Sequence, residues 1–104
     1  MPQAPCDVVR QEASKYDWDV NIIGAISESE SGCEAWSVGD NYVIAGIYAP
    51  SCGVLQVRTL AGRPDCESLK DIPTNVRAAY QVWTEQGYQA WTKYQTGEYK
   101  EYLQ

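Results

Sequence analysis

V-N-I-I-G-A-I-S-E-S-E-S-G-C, running from Val20 to Cys33, is the stretch whose reading decides the fold. Ile23, Ile26 and Glu30 are spaced three and four apart, so on a helix they share one face and a single carboxylate continues an apolar stripe. Glu28 lies about 200° around the helix from Glu30 and is directed to water. Gly32 suits the left-handed position just past a helix end. Glu30 then sits in the last turn, where the negative end of the helix dipole and apolar neighbours both disfavour its charged form. A carboxyl group that keeps its proton near neutral pH can act as a general acid. The plainer alternative is an ordinary solvated acid at a helix end.

Upstream, Asp7 to Tyr16 reads as a short helix with Val8, Val9, Ala13 and Tyr16 apolar, and Asp17 or Asp19 can cap the next helix. The result is a two-helix hairpin over residues 6–32, preceded by a loose tail at 1–5. A hairpin brings the start of its first helix near the end of its second, which draws Cys6 toward Cys33. Cys52 then pairs with Cys66 across a short loop. Each bridge contributes about 3 kcal/mol under the chain-entropy model. The four cysteines show no C-x-x-C spacing, which argues against a metal centre. Two disulfides imply an oxidising compartment, whereas four reduced buried thiols would fit the cytosol.

Downstream, Tyr42-Val43-Ile44 and Ile47-Tyr48-Ala49 flank Ala45-Gly46 and predict a small β-hairpin closed by Pro50. G-V-L-Q-V at 53–57 is an apolar run carrying one amide, Gln56, and A-G-R-P-D-C-E at 61–67 reads as a turn. Pro73 opens a helix with Val76, Ala79, Tyr80 and Trp83 on one face, ended by Gly87. A last helix, Tyr88 to Tyr94, stops near Thr96-Gly97 and leaves Glu98 to Gln104 as a short tail. The 104 residues are expected to form one α+β domain, mainly α, with the β-hairpin as a small lobe beside the Glu30 helix.

Composition narrows the chemistry. The chain has no His, so Ser-His and Cys-His catalysis and the usual zinc centres are absent, and acid–base work falls to carboxylates or Tyr. Fourteen acidic residues against eight basic ones, without a Lys/Arg cluster, argue against nucleic-acid binding. No run approaches the roughly 20 apolar residues of a membrane span, and the start lacks the pattern of a signal peptide. Eight Tyr and four Trp without any Phe form an amphipathic aromatic set suited to a core or to a sugar-binding cleft. Asp17, Asp19, Asn21 and Glu28 mimic an EF-hand spacing, but Ile22 stands where that loop needs Gly. No metal and no cofactor are expected.

The ordered motifs carry a resemblance. A-I-S-E-S-E-S-G, with Glu30-Ser31-Gly32, resembles the catalytic segment of the lysozyme-like superfamily of goose-type lysozymes and soluble lytic transglycosylases. G-V-L-Q-V is similar to that family's G-L-M-Q segment. I-P-T-N-V-R-A-A-Y-Q-V-W and G-Y-Q-A-W-T-K-Y-Q-T-G resemble its later helices and its Tyr-Asn-x-Gly motif, in the family's order.

The resemblance implies a lysozyme-like fold and cleavage of the β-1,4 bond between N-acetylmuramic acid and N-acetylglucosamine. Glu30 matches the general acid, Ser31 the serine after it, Gln56 the glutamine near the scissile sugar, and Tyr94 a tyrosine near the catalytic carboxyl. Gln95 stands where the family has Asn. Tyr42, Tyr48, Trp36 and Trp91 are candidate sugar platforms by their chemistry alone. Inverting hydrolysis needs a base about 6.5–9.5 Å from the acid, and Asp40 is the candidate, its alternative being an Asx-turn cap. Without a base, the muramyl 6-hydroxyl attacks and a lytic transglycosylase results. An inactive wall-binding module is the third possibility. The expected setting is extracytoplasmic, as a secreted or phage-delivered monomer acting on glycan strands.

Overall fold

The structure, a computed structural model, describes residues 4–39, 43, 44, 46–60 and 62–104. Asp40 and Tyr42 lie outside them. Helix α1 spans Pro5–Ala13, two residues earlier than the apolar spacing predicts, because Pro5 at its first position is pre-set for helical φ. It ends where the Trp18 indole N–H donates to the Ala13 carbonyl at 2.8 Å. Helix α2 spans Val20–Ser31. Asp19 caps it by accepting from the Ile22 N–H at 3.1 Å, and Gly32 closes it in the left-handed conformation, φ 64°. The two helices pack as the expected hairpin, and the bridges join Cys6 to Cys33 and Cys52 to Cys66.

The stripe on α2 needs correction. Ile23, Gly24, Ala25, Ile26 and Ser27 are all buried, and both Glu28 and Glu30 are half-buried. Helix α2 is enclosed by α1 on one side and by the C-terminal segments on another, so its middle has no solvent face. Gly24 is required there, since a Cβ would collide with the Arg10 side chain lying across it.

Two small antiparallel sheets follow. The strands are β1 Val38–Gly39, β2 Val43–Ile44, β3 Ile47–Tyr48, β4 Ser51–Cys52 and β5 Val57–Arg58. Strands β2 and β3 form the predicted hairpin, with Val43 opposite Tyr48 and Gly46 at φ 81°. The three-stranded sheet, in the order β1-β4-β5, was not legible from alternation, because each strand is two residues long.

Helix α3, Cys66–Leu69, occupies the segment expected to be only a turn, capped by Asp65. Helix α4 spans Ile72–Gln86, capped by Asp71. Its buried residues are Asn75, Val76, Ala78, Ala79 and Val82, while Tyr80 and Trp83 pack at the edge of the core. The expected last helix is divided into a 3₁₀ turn, Gly87–Ala90, and α5, Thr92–Thr96, ended by Gly97 at φ 82°. The short tail expected at Glu98 to Gln104 is packed against the domain. Glu98–Tyr102 form a second 3₁₀ turn packed on α2, Tyr99 is buried, and Asn21 exchanges two hydrogen bonds with Gln104. An aromatic anchor and an amide clamp hold this segment.

The helix caps set the acid limit of stability. Backbone and hydroxyl hydrogen bonds hold Asp65 and Asp71 below the usual aspartate value of 3.8, and Thr96 with Lys93 holds Glu98 below the usual glutamate value of 4.5. Groups whose folded pKa is lowered stabilise the fold above their unfolded value and lose that contribution as pH falls through the folded one. The melting temperature should therefore drop between about pH 5 and pH 2, and Asp71→Asn should flatten that slope. A pH-independent difference between Asp71→Asn and the native chain would count against this. Tyr80 is the opposite case. Its hydrogen bond to Asp17, then its burial, raise it above 10.0, so its contribution is lost as pH rises through that higher value.

Candidate functional site

The turn Gly53-Val54-Leu55-Gln56 carries Gln56 to the site, and four side chains from three parts of the chain hold it. Ser27 Oγ and Ser31 Oγ, one turn apart on α2, both reach the Val54 carbonyl at 2.7 Å. Asn75 is wholly buried on α4. Its Oδ1 accepts from the Leu55 N–H at 3.1 Å, and its Nδ2 donates to the Cys52 and Leu69 carbonyls at 2.8 and 2.9 Å. The buried Trp91 donates its indole N–H to the Leu55 carbonyl at 2.8 Å. The polar backbone of an apolar turn is thus paired by side chains far away in sequence, as burial requires.

Gln56 adopts φ 47°, uncommon for a residue with a Cβ, and donates from Nε2 to the Ser37 and Gly53 carbonyls at 3.1 and 2.9 Å. Both amide hydrogens are spent within the protein. Its Oε1 faces Gly39 so closely that a Cβ there would lie 2.6 Å away, so glycine is needed at that place.

Glu30 and Gln56 line one cavity of about 170 Å³, with Trp91 behind them and Arg58 and Arg63 on its wall. Glu30 Oε1 accepts from the Lys93 main-chain N–H at 3.3 Å. Lys93 lies in the first turn of α5, which follows the buried Trp91. The Arg58 guanidinium donates to the Ala49 carbonyl at 3.3 Å, and Arg63 to the Arg58 carbonyl at 3.2 Å. A protein of net charge -6 therefore places two of its eight cations on the wall of the cavity that Glu30 lines.

Of the residues named from sequence, Glu30 and Gln56 are brought together. Ser31 does not line the cavity but holds the turn that carries Gln56, through the Val54 carbonyl. Tyr94 is not among the residues lining the cavity. It is stacked between Tyr88 and Tyr99 at 5.3 and 4.9 Å, while its neighbour Lys93 supplies the contact to Glu30. Tyr48 is 59% exposed on β3 and Trp36 is 72% exposed, with Lys70 Nζ 4.8 Å from its ring centre. Trp91 is buried and serves as support for the cavity wall. Asp40 and Tyr42 lie outside the described residues. Among the described residues, no cluster of His, Cys, Asp and Glu could hold a metal ion.

Sequence reasoning missed Asn75. Its signal was an amide at the start of α4, three and four residues before Ala78 and Ala79 on the face that is buried.

The class defined by fold and site is a small α+β domain, mainly helical, cross-linked by two disulfides and carrying a half-buried glutamate at a cavity. No protein-family model matches the chain, and no curated protein matches it significantly. Two disulfides fit an oxidising, extracytoplasmic setting, and among the described residues no helix is long and apolar enough to cross a membrane.

Proposed function

We propose that this protein is a lysozyme-like peptidoglycan glycosidase in which Glu30 is the general acid. The observation that carries the reading is the half-buried Glu30 carboxyl at the end of α2, facing a cavity with Gln56 and two guanidiniums. The Lys93 main-chain N–H donates to Glu30 Oε1 and fixes the direction of the carboxyl. Such an acid protonates the glycosidic oxygen as the C–O bond breaks. The turn that carries Gln56 is fixed by buried hydrogen bonds, so little rearrangement of Gln56 is required on binding.

Water activated by Asp40 would complete a hydrolysis and leave reducing ends. Attack by the muramyl 6-hydroxyl would complete a transglycosylation and leave 1,6-anhydro ends. Incubation of the protein with purified sacculi, followed by turbidity and mass spectrometry of the released fragments, tests both points. Clearing with either kind of end supports the glycosidase. A folded protein that binds sacculi without releasing fragments is a wall-binding module, and the catalytic reading falls.

Charge adds a check on binding. A chain of net charge -6 gains no long-range attraction from anionic wall polymers, so sacculus binding should hold or improve as salt is raised moderately. Steady loss of binding across a salt titration would mean that local cations dominate instead.

A further inference from the structure

Seven aromatic rings form an unbroken chain through the helical part of the molecule, and of them only Tyr94 was given a part in the glycosidase reading. Tyr16 stacks on Tyr80 with ring centres 4.6 Å apart, and Tyr80 stacks on Trp83 at 5.7 Å. Trp83 meets Tyr88 at 5.7 Å, Tyr88 stacks on Tyr94 at 5.3 Å, and Tyr94 stacks on Tyr99 at 4.9 Å. Trp18 touches Tyr16, Tyr80 and Trp83 edge-on at 5.4–6.0 Å. Packing explains ring contact. It does not explain how differently the polar ends of these rings are treated.

The Trp83 indole N–H is buried without an acceptor among the described residues. An indole that loses an electron there has no base to take its proton, so it stays a radical cation and draws an electron from a neighbouring ring. The Tyr80 hydroxyl, by contrast, donates to the Asp17 carboxylate. A phenol gives up an electron readily only when its proton can leave as well, and Tyr80 has its base in place. Asp17 lies in the exposed turn between α1 and α2, so the chain reaches the surface there. Near its other end, Tyr94 follows Lys93, whose main-chain N–H holds Glu30.

We infer that this chain conducts one-electron oxidation, with Trp83 as the relay and the Tyr80–Asp17 pair as its resting point. A one-electron radical oxidant takes an electron from the Trp83 indole and is reduced to its anion. Tyr80 then gives an electron to the indole radical cation and restores Trp83, while its phenolic proton passes to Asp17 Oδ1. The products are a neutral phenoxyl radical at Tyr80 and a neutral carboxylic acid at Asp17. A thiolate donor in solution returns the electron, becoming a thiyl radical, and Asp17 returns the proton. The oxidising equivalent is thereby carried to a surface phenol and away from the residues around Glu30.

Pulse radiolysis with the azidyl radical tests this. Trp36→Phe is the parent, because the exposed indole at 36 would otherwise compete for the oxidant. The indolyl absorption should convert to phenoxyl absorption in a first-order step independent of protein concentration, slower in D₂O. Tyr80→Phe keeps the stacked ring and Asp17→Asn keeps an acceptor, so both variants retain the packing. Asp17→Asn, which removes the positioned proton acceptor, should slow the conversion by at least about tenfold, and Tyr80→Phe, which removes the phenol that is oxidised, by at least as much. Conversion that scales with protein concentration, that lacks a D₂O effect in the parent, or that keeps its rate in both variants overturns the relay. The D₂O arm needs no substitution at Tyr80 or Asp17, so it decides the matter even if a variant fails to fold.

Discussion

Glu30→Gln should reduce sacculus clearing by about 10²–10⁴-fold while leaving the melting temperature nearly unchanged. The amide keeps the size of the carboxyl and retains an Oε1 that can accept from the Lys93 N–H, so the contact at 3.3 Å survives. It has no proton to give to a leaving oxygen, and no His exists to take over the task. Binding to sacculi should persist, because Gln56 and the arginines on the cavity wall are untouched. The loss should therefore appear in kcat, with KM little changed. In the native protein the rate should fall as pH rises through the pKa of the acid, and the variant should lack that limb. Equal clearing by the two proteins would remove Glu30 from the chemistry.

The second large effect concerns stability. Gly53→Ala should lower the melting temperature by roughly 12–24 °C, which corresponds to about 3 kcal/mol in a domain of this size. Gly53 sits at φ 81°, a conformation that favours glycine, and its added Cβ would collide with the Asn75 side-chain amide and the Leu69 carbonyl. Neither neighbour can yield cheaply. Asn75 is wholly buried and makes three hydrogen bonds, so displacing it leaves buried groups unpaired at about 1–3 kcal/mol each. Movement of the turn would also carry Gln56 out of the cavity, so specific activity should fall even at temperatures where the variant is folded. A shift of only a few degrees, read by calorimetry, would show that the turn can move and that Asn75 is no keystone.

These two experiments probe separate layers of the molecule. The half-buried place of Glu30 was legible because a carboxylate seven residues beyond Ile23 and four beyond Ile26, just before Gly32, continues an apolar stripe. The disulfide pairing was legible because a helical hairpin leaves Cys6 little choice but Cys33. Capping residues were legible for the same local reason: Asp19 accepts from an N–H within its own first turn.

What the chain by itself determined was local: helix starts and stops, the α2 cap and its glycine, the β2–β3 turn, and which cysteines meet. Each depends on groups a few residues apart or on one hairpin. What only the tertiary structure decided was non-local. Asn75 satisfies a turn some twenty residues earlier, and Trp91 reaches back thirty-six residues to the Leu55 carbonyl. Lys93 lies sixty-three residues from the Glu30 oxygen that it meets. No periodicity records such pairings, because a buried polar backbone group can be satisfied by any element that packs over it, and packing is chosen by the whole core at once.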